Sequence, residues 1–405
     1  MTIRRRTLVA TMGVSAIGML PLRAARAAEP VTYSVVGLVD YLGPFADIAG
    51  PVISGRDAVL RWWNAEVGAE LGVNLKVKNF DTRSDSAQAA SLWPSISAEK
   101  PISIMSLGSA DALALRDRTI EAQVPLFIVG ALPSGVWSSD GWLISLRPSY
   151  AHESAALFDK LYATGQRSKP IKVAVLSSEA VPGYVEIVKG LTSYAKTYGR
   201  IEVAPIWDAA QPTDLTAQMQ RAVKSGVEYL VVQTNTAAVV ATARALQALG
   251  ANIPLVLSSH NGLLASGRAL NDMKALENSY EVHVLPIPAG DTPQKKFYDL
   301  LVAKYGYKSD WTPLAAQGIV QGLLTVRAIE LAARKFGTTG LSGAKVRDAY
   351  LGGELKVGFG FSPGVQFTRS TPFPEKGLTV SVAMIKDGHY VLKYTDVPVP
   401  ELKKW

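Results

Sequence analysis

The chain has 405 residues, no cysteine, and 42 basic against 34 acidic residues. The absence of cysteine excludes disulfides, thiol nucleophiles, thiolate-bound metals and a lipid on an N-terminal cysteine, so the fold must rest on packed cores, and the length suggests two domains. Arg4, Arg5, Arg6, Arg23 and Arg26 all fall in the first 27 residues, which carry no acid; the remainder holds 37 basic against 34 acidic, net +3, which gives no case for nucleic acid or an anionic membrane as partner.

Residues 1–27 read as a secretory signal. A run of arginines is followed by an uncharged apolar stretch over 8–20, and Ala25-Arg26-Ala27 supplies a small-x-small cleavage site, so the cut is expected after Ala27. The apolar stretch is shorter than the ~18–20 residues that cross a bilayer, which favours a signal over a membrane span. Arg5-Arg6 before Thr7-Leu8 resembles a twin-arginine signal imperfectly, so Sec and Tat export both stay open.

The mature chain alternates β-branched runs with helical patterns. Strands are expected at 33–39, 73–80, 102–105, 126–129 and 143–146, with helices such as 55–67, 84–97 and 111–120 between them. A second series follows, with strands at 171–176, 201–206, 229–233 and 254–257 and helices at 184–198, 214–224, 237–249 and 263–270. Such alternation gives parallel sheets covered by helices on both faces, and two series imply two sheets. The breaks fall at Arg147-Pro148-Ser149 and Pro286-Ile287-Pro288, where proline suits extended crossing strands. Helices at 294–305, 313–336 and 343–351 come next, then a strand-rich tail over 353–394 with an Asp387-Gly388 hairpin turn.

The order and spacing of Gly37 to Ala46 with its Gly43-Pro44 turn, Asn64, Asp81, Gly108-Ser109, Pro125, Arg147, the helix start at Asp214, Gly226 and Gly250 resemble the type I periplasmic solute-binding proteins of ABC importers, of the branched-chain amino acid class. The resemblance covers essentially the whole mature chain. It implies an α/β fold of two Rossmann-like lobes joined by a three-strand hinge, with lobe one formed by 28–147 and 287–352 and lobe two by 148–286 and 353–405. It also implies a periplasmic monomer that serves ABC permease subunits and needs no cofactor.

Catalytic signatures are missing from the sequence. There is no Gly-x-Ser-x-Gly, no Walker loop and no His-x-x-x-His, and Gly358 to Gly364 is a poor dinucleotide loop that reads as a turn between strands. The four histidines, His152, His260, His283 and His389, share no metal-ligand spacing.

Ligands of open α/β sheets bind beyond the carboxyl ends of the strands, where helix N-termini favour a carboxylate. Tyr41, in the loop after the first strand, either offers its ring to the ligand or covers the lobe. Gly108 and Ser109 open a helix; by the resemblance Ser109 holds a ligand carboxylate, and the alternative is a plain helix cap. Gly130, Ala131 and Leu132 follow the fourth strand, and Leu132 stands where relatives place a carboxylate-holding threonine. Trp137 either lines the cleft or packs. In lobe two, Pro182 and Tyr184 stand near a tyrosine-glycine pair of the family, and Asn235 stands where an aromatic is common. His260, followed by Asn261, replaces an acid that meets the ammonium of α-amino acids in relatives. An uncompensated buried ammonium costs several kcal/mol. A small organic or aromatic acid, or an amino acid-like one, is therefore the expected ligand. A sensor of the same fold is the alternative to a transport subunit, and a secreted α/β enzyme is a more distant one.

Overall fold

The computed structural model describes residues 29–209, 212–258, 260–285, 290–361, 366–370 and 378–405. The expected signal over 1–27 and the prolines of the second crossover lie outside these residues.

The first sheet contains β1 (Val31–Val39), β2 (Val73–Asp81), β3 (Ser103–Ser106), β4 (Leu126–Ile128) and β5 (Leu143–Ser145), ordered β2-β1-β3-β4-β5 and parallel throughout. The second contains β6 (Ile171–Ser177), β7 (Ile201–Trp207), β8 (Tyr229–Val232), β9 (Leu255–Ser258), β10 (Tyr280–His283), β11 (Thr379–Lys386) and β12 (His389–Pro398), ordered β12-β11-β10-β9-β8-β6-β7. Its strands β6 to β10 run parallel, while β11 pairs antiparallel with both β10 and β12. The α/β fold with two helix-flanked sheets is thus present.

Helices α1 (Ala46–Trp63), α2 (Ala69–Leu71), α3 (Ser86–Ala98), α4 (Ser109–Glu121) and α5 (Pro133–Trp137) intersperse the first five strands. Helices α6 (Tyr150–Thr164), α7 (Pro182–Tyr198), α8 (Thr216–Ser225), α9 (Thr236–Ala248) and α10 (Leu263–Leu270) serve the second sheet, and α11 (Pro293–Lys304), α12 (Pro313–Phe336) and α13 (Gly343–Leu351) return to the first. Side chains alternate across each sheet, as the strand period requires. Val35 and Val39 of β1 enter the cluster with α1 and α12, whereas Val36 and Leu38 enter the opposite cluster with α3 and α4. Asn64 ties the end of α1 to β2 by accepting from Leu75 N–H (2.9 Å) and donating to Leu75 O (2.8 Å).

Two features differ from the sequence reading. Helix α6 occupies a stretch to which no helix was assigned. Ser149 caps it by accepting from His152 N–H, and Ala151, Ala155, Ala156, Leu157 and Phe158 bury one face. Leu355, Val357, Phe361 and Phe367 pack into the core of the first sheet although the tail from 353 was assigned to lobe two. We therefore propose that the lobe boundary falls after these residues rather than at 352.

Candidate ligand-binding site

Strands β1, β3 and β4 end at one side of a cleft, and β6 and β9 end at the other. The loop after β1 is folded by Asp40, whose buried carboxylate accepts from Gly43 N–H (2.6 Å), Phe45 N–H (3.2 Å) and Ser84 Oγ (2.8 Å). That arrangement turns Phe45 inward, where Phe45, Ile48 and Tyr184 form a small apolar cluster of their own. Opposite it, helices α4 and α7 meet head to head. Gly183 N–H, in the first turn of α7, donates to Ser109 Oγ, in the first turn of α4, at 3.0 Å. A Cβ at Gly183 would stand 2.5 Å from Ala131 O and 2.9 Å from Ser109 Oγ, so only glycine permits this approach.

Between these elements lies a cavity with about 40 Å³ of free space, lined by Phe45, Ile48, Val52, Ser84, Leu107, Gly108, Ser109, Ala110, Val129, Gly130, Ala131, Tyr150, Val181, Gly183, Tyr184, His260, Leu314 and Gln317. None of these residues is Asp, Glu, Lys or Arg. Its walls are rich in rings: Phe45 stands edge-on to Tyr184 (6.2 Å between centroids) and to His260 (5.6 Å), and Tyr150 lies 6.2 Å from His260. Tyr184 OH and His260 Nε2 share a hydrogen bond of 2.5 Å.

Burial, helped by the positive charge of Arg147, pulls His260 down to about 3, so the imidazole is neutral at ordinary pH. Burial likewise drives the Tyr184 phenol well above its usual range, so it stays protonated. Arg147 lies beneath the rings, 5.1 Å over the face of Tyr150, and is buried together with Glu153 at 3.7 Å. Asp111, buried in the first turn of α4, is pushed up to about 7 by desolvation; a hydrogen bond from Thr82 opposes this, nearby Asp40 adds to it, and hydrogen bonds from Ser106 and Gly108 N–H oppose it in turn.

The structure brings together Gly108, Ser109, Gly130, Ala131, Tyr184 and His260 around the cavity. The other expected residues lie outside its lining. Tyr41 is half exposed and accepts from Asn79 Nδ2 at 3.0 Å. Leu132 is buried in the core of the first sheet, which an apolar side chain after β4 naturally joins. Pro182 occupies the first turn of α7, where its missing N–H costs nothing. Asn235 caps α9, accepting from Ala238 N–H at 3.2 Å. Asn261 spends its amide on Val232 O (2.6 Å) and Thr234 O (2.9 Å), and so anchors the turn that carries His260.

Trp137 packs edge-on against Trp405, 4.9 Å between centroids. Trp405 belongs to the core of the second sheet and Trp137 to that of the first, so this contact bridges the cleft. The Trp405 indole also donates to Glu186 Oε2 (2.9 Å), which accepts from Ser134 N–H (3.3 Å) across the same divide. Room for the indole exists because Gly190 has no side chain; a Cβ there would stand 2.9 Å from it.

Phe45, Ile48, Tyr150, Gly183 and Gln317 line the cavity without having been singled out as site residues. Phe45 follows the Gly43-Pro44 turn directly, and Tyr150 follows the first crossover, so both carried a positional signal. Of the remaining histidines, His152 Nδ1 meets Ser149 Oγ at 2.7 Å, His283 pairs with Glu281 at 2.6 Å, and His389 is exposed at the start of β12.

A sequence model described as "periplasmic binding protein" matches residues 32–380. Among solved structures, the chain is similar to a branched-chain amino acid ABC transporter protein from Thermus thermophilus with bound valine, at 19% identity over 91% of this chain and 96% of that one, with a TM-score of 0.78. It is also similar to a leucine-binding protein from Thermotoga maritima, at 17% identity over 90% of this chain and 99% of that one, with a TM-score of 0.73. A fatty acid ABC transporter substrate-binding protein from Thermomonospora curvata is similar at 15% identity over 92% of this chain and 95% of that one, with a TM-score of 0.76. Identities this low speak to the fold alone. A search of curated proteins finds no match.

Proposed function

The chain belongs to the periplasmic binding protein family, and we propose that it is the extracytoplasmic subunit of an ABC importer, capturing a carboxylate with an apolar body and delivering it to a permease. The observation that carries the choice of ligand is the uncharged lining of the cavity. The N-termini of α4 and α7 converge there with the Ser109 hydroxyl between them, a setting in which free N–H groups and aligned peptide dipoles favour an anion. Among the described residues no acid of the lining meets an ammonium group, and His260 stays neutral, so an α-amino acid would bury its positive charge without compensation. The rings of Phe45, Tyr150 and Tyr184 suit an aromatic or aliphatic body.

Hinge closure supplies the mechanism. Residues from both sheets line the cavity, so a ligand that touches both binds the closed arrangement better and shifts the population toward it. The test is a thermal-shift screen of residues 28–405 with branched-chain amino acids beside aliphatic and aromatic acids. At about 100 times its dissociation constant, a ligand adds about 2.7 kcal/mol of stability. Stabilisation by acids that lack an amine supports this reading; stabilisation by leucine or valine alone overturns it.

A further inference from the structure

The inner cavity is not the only space between the two sheets. A second chamber of about 550 Å³ opens beside it, with Pro51 of α1 and Trp311 ahead of α12 on one wall and Leu264 and Ala265 of α10 on the other. His260 and Leu314 line both spaces. The inner cavity leaves only about 40 Å³, whereas sites for small organic ligands usually measure about 300–1,000 Å³.

We propose that the ligand is an elongated monocarboxylate whose head group occupies the inner cavity and whose apolar tail passes beside His260 into the outer chamber. This rests on the carboxylate reading given above and extends it to the shape of the ligand. The partition is built to yield. His260 is held by a hydrogen bond to Tyr184 at 2.5 Å, is packed between Phe45 and Tyr150, and lines both spaces. Breaking one hydrogen bond between two neutral groups is far cheaper than displacing an ion pair. Most of the outer wall is apolar, and its charged groups are Asp47, Glu281, Asp310 and the exposed Arg268; Glu281 is already committed to Leu263 N–H and His283, and the other three are left for the polar end of a tail or for water.

The experiment is titration calorimetry of the protein with butyrate, hexanoate and octanoate, repeated with Ala265→Trp and Leu264→Trp. Both sites are exposed on α10, and melting curves verify that the variants fold. Each methylene that enters the outer chamber should tighten binding about fourfold. The expected result is a steep rise from butyrate to octanoate that either tryptophan removes, with butyrate unchanged within about twofold. Affinity that is flat or falling beyond butyrate, or an equal loss for all three acids in the variants, overturns the two-chamber ligand while leaving the carboxylate reading intact. Silence across the whole series removes both.

Discussion

Gly183 and Ser109 join the two halves of the protein through one hydrogen bond, 3.0 Å long, between the first turns of α7 and α4. The bond exists because residue 183 has no Cβ. Gly183→Ala would press a methyl group against Ala131 O and Ser109 Oγ, at 2.5 and 2.9 Å. Neither lobe should lose its own core, but closure should become harder by roughly 1–3 kcal/mol, as for other overpacked contacts. The expected outcome is a dissociation constant raised about tenfold or more, a nearly unchanged melting point without ligand, and a larger radius of gyration in solution scattering. An unchanged affinity would mean that the closed state does not require this approach.

Ser109→Ala tests the anion setting more gently. It removes one hydroxyl and leaves the backbone N–H groups of α4 in place. A lost hydrogen bond to a charged group is worth roughly 1.5–3 kcal/mol, so carboxylate affinity should fall at least about tenfold. Ser84→Ala serves as the control, because the Ser84 hydroxyl is already committed to Asp40 at 2.8 Å. Equal losses in both variants would argue that Ser109 has no special part.

His260 sets the pH behaviour of binding. Its pKa lies well below the usual 6.5, at about 3, so it remains neutral down to mildly acid pH. In Asp111→Asn, where the neighbouring carboxyl that titrates near 7 is removed, ligand affinity should therefore be flat from about pH 8 to about pH 5, with no gain as pH falls through the ordinary histidine range. Calorimetry at three pH values decides the matter. Tightening near pH 6.5 would mean that the imidazole takes up a proton to meet the carboxylate.

Asp111 should make folding stability fall with rising pH. Its folded pKa of about 7 lies above the ordinary carboxyl value of 3.8, so between these values the native state holds a proton that the unfolded chain has released. The stability this group contributes is complete below about pH 4 and is lost as pH rises through 7. Asp111→Asn keeps an acceptor for Ser106 and Thr82 but cannot ionise. It should match or trail the native chain at pH 4 and exceed it at pH 8, by an amount on the order of 4 kcal/mol at most. Urea titrations at the two pH values give the comparison, and the opposite order would refute the buried protonated carboxyl.

Trp405→Ala should weaken ligand binding although Trp405 is absent from the cavity lining. Its ring contact with Trp137 reaches across the cleft, whereas its bond to Glu186 stays within the second half and holds the indole in place for that contact. A several-fold rise in dissociation constant is expected, with Trp405→Phe recovering part of it because the ring packing survives while the hydrogen bond does not. Equal affinity in native and alanine forms would assign Trp405 to the core of the second sheet alone.

The alternation of strands and helices was legible because parallel sheets write it as short β-branched runs between amphipathic stretches. Helix α6 is masked in the sequence because its start lies against Pro148, where an extended crossover is the stronger expectation. Ser109 and His260 could be placed beside the cavity because they follow strand ends. Leu132, Asn235 and Asn261 follow strand ends just as closely, yet they cap or anchor loops within one lobe. Position after a strand selects the neighbourhood of a site; the direction in which each side chain leaves the turn selects the lining. Phe45 shows the same limit from the other side, since the hydrogen bonds that turn it inward come from Asp40, a residue whose carboxylate gave no hint of that task.

The Trp137–Trp405 pair has a further use. Two indoles 4.9 Å apart on opposite lobes form an exciton couple, and that coupling vanishes when the lobes part. Far-ultraviolet circular dichroism should therefore report opening and closing without an added dye. Any variant or ligand that changes the closed population should be visible by the same signal.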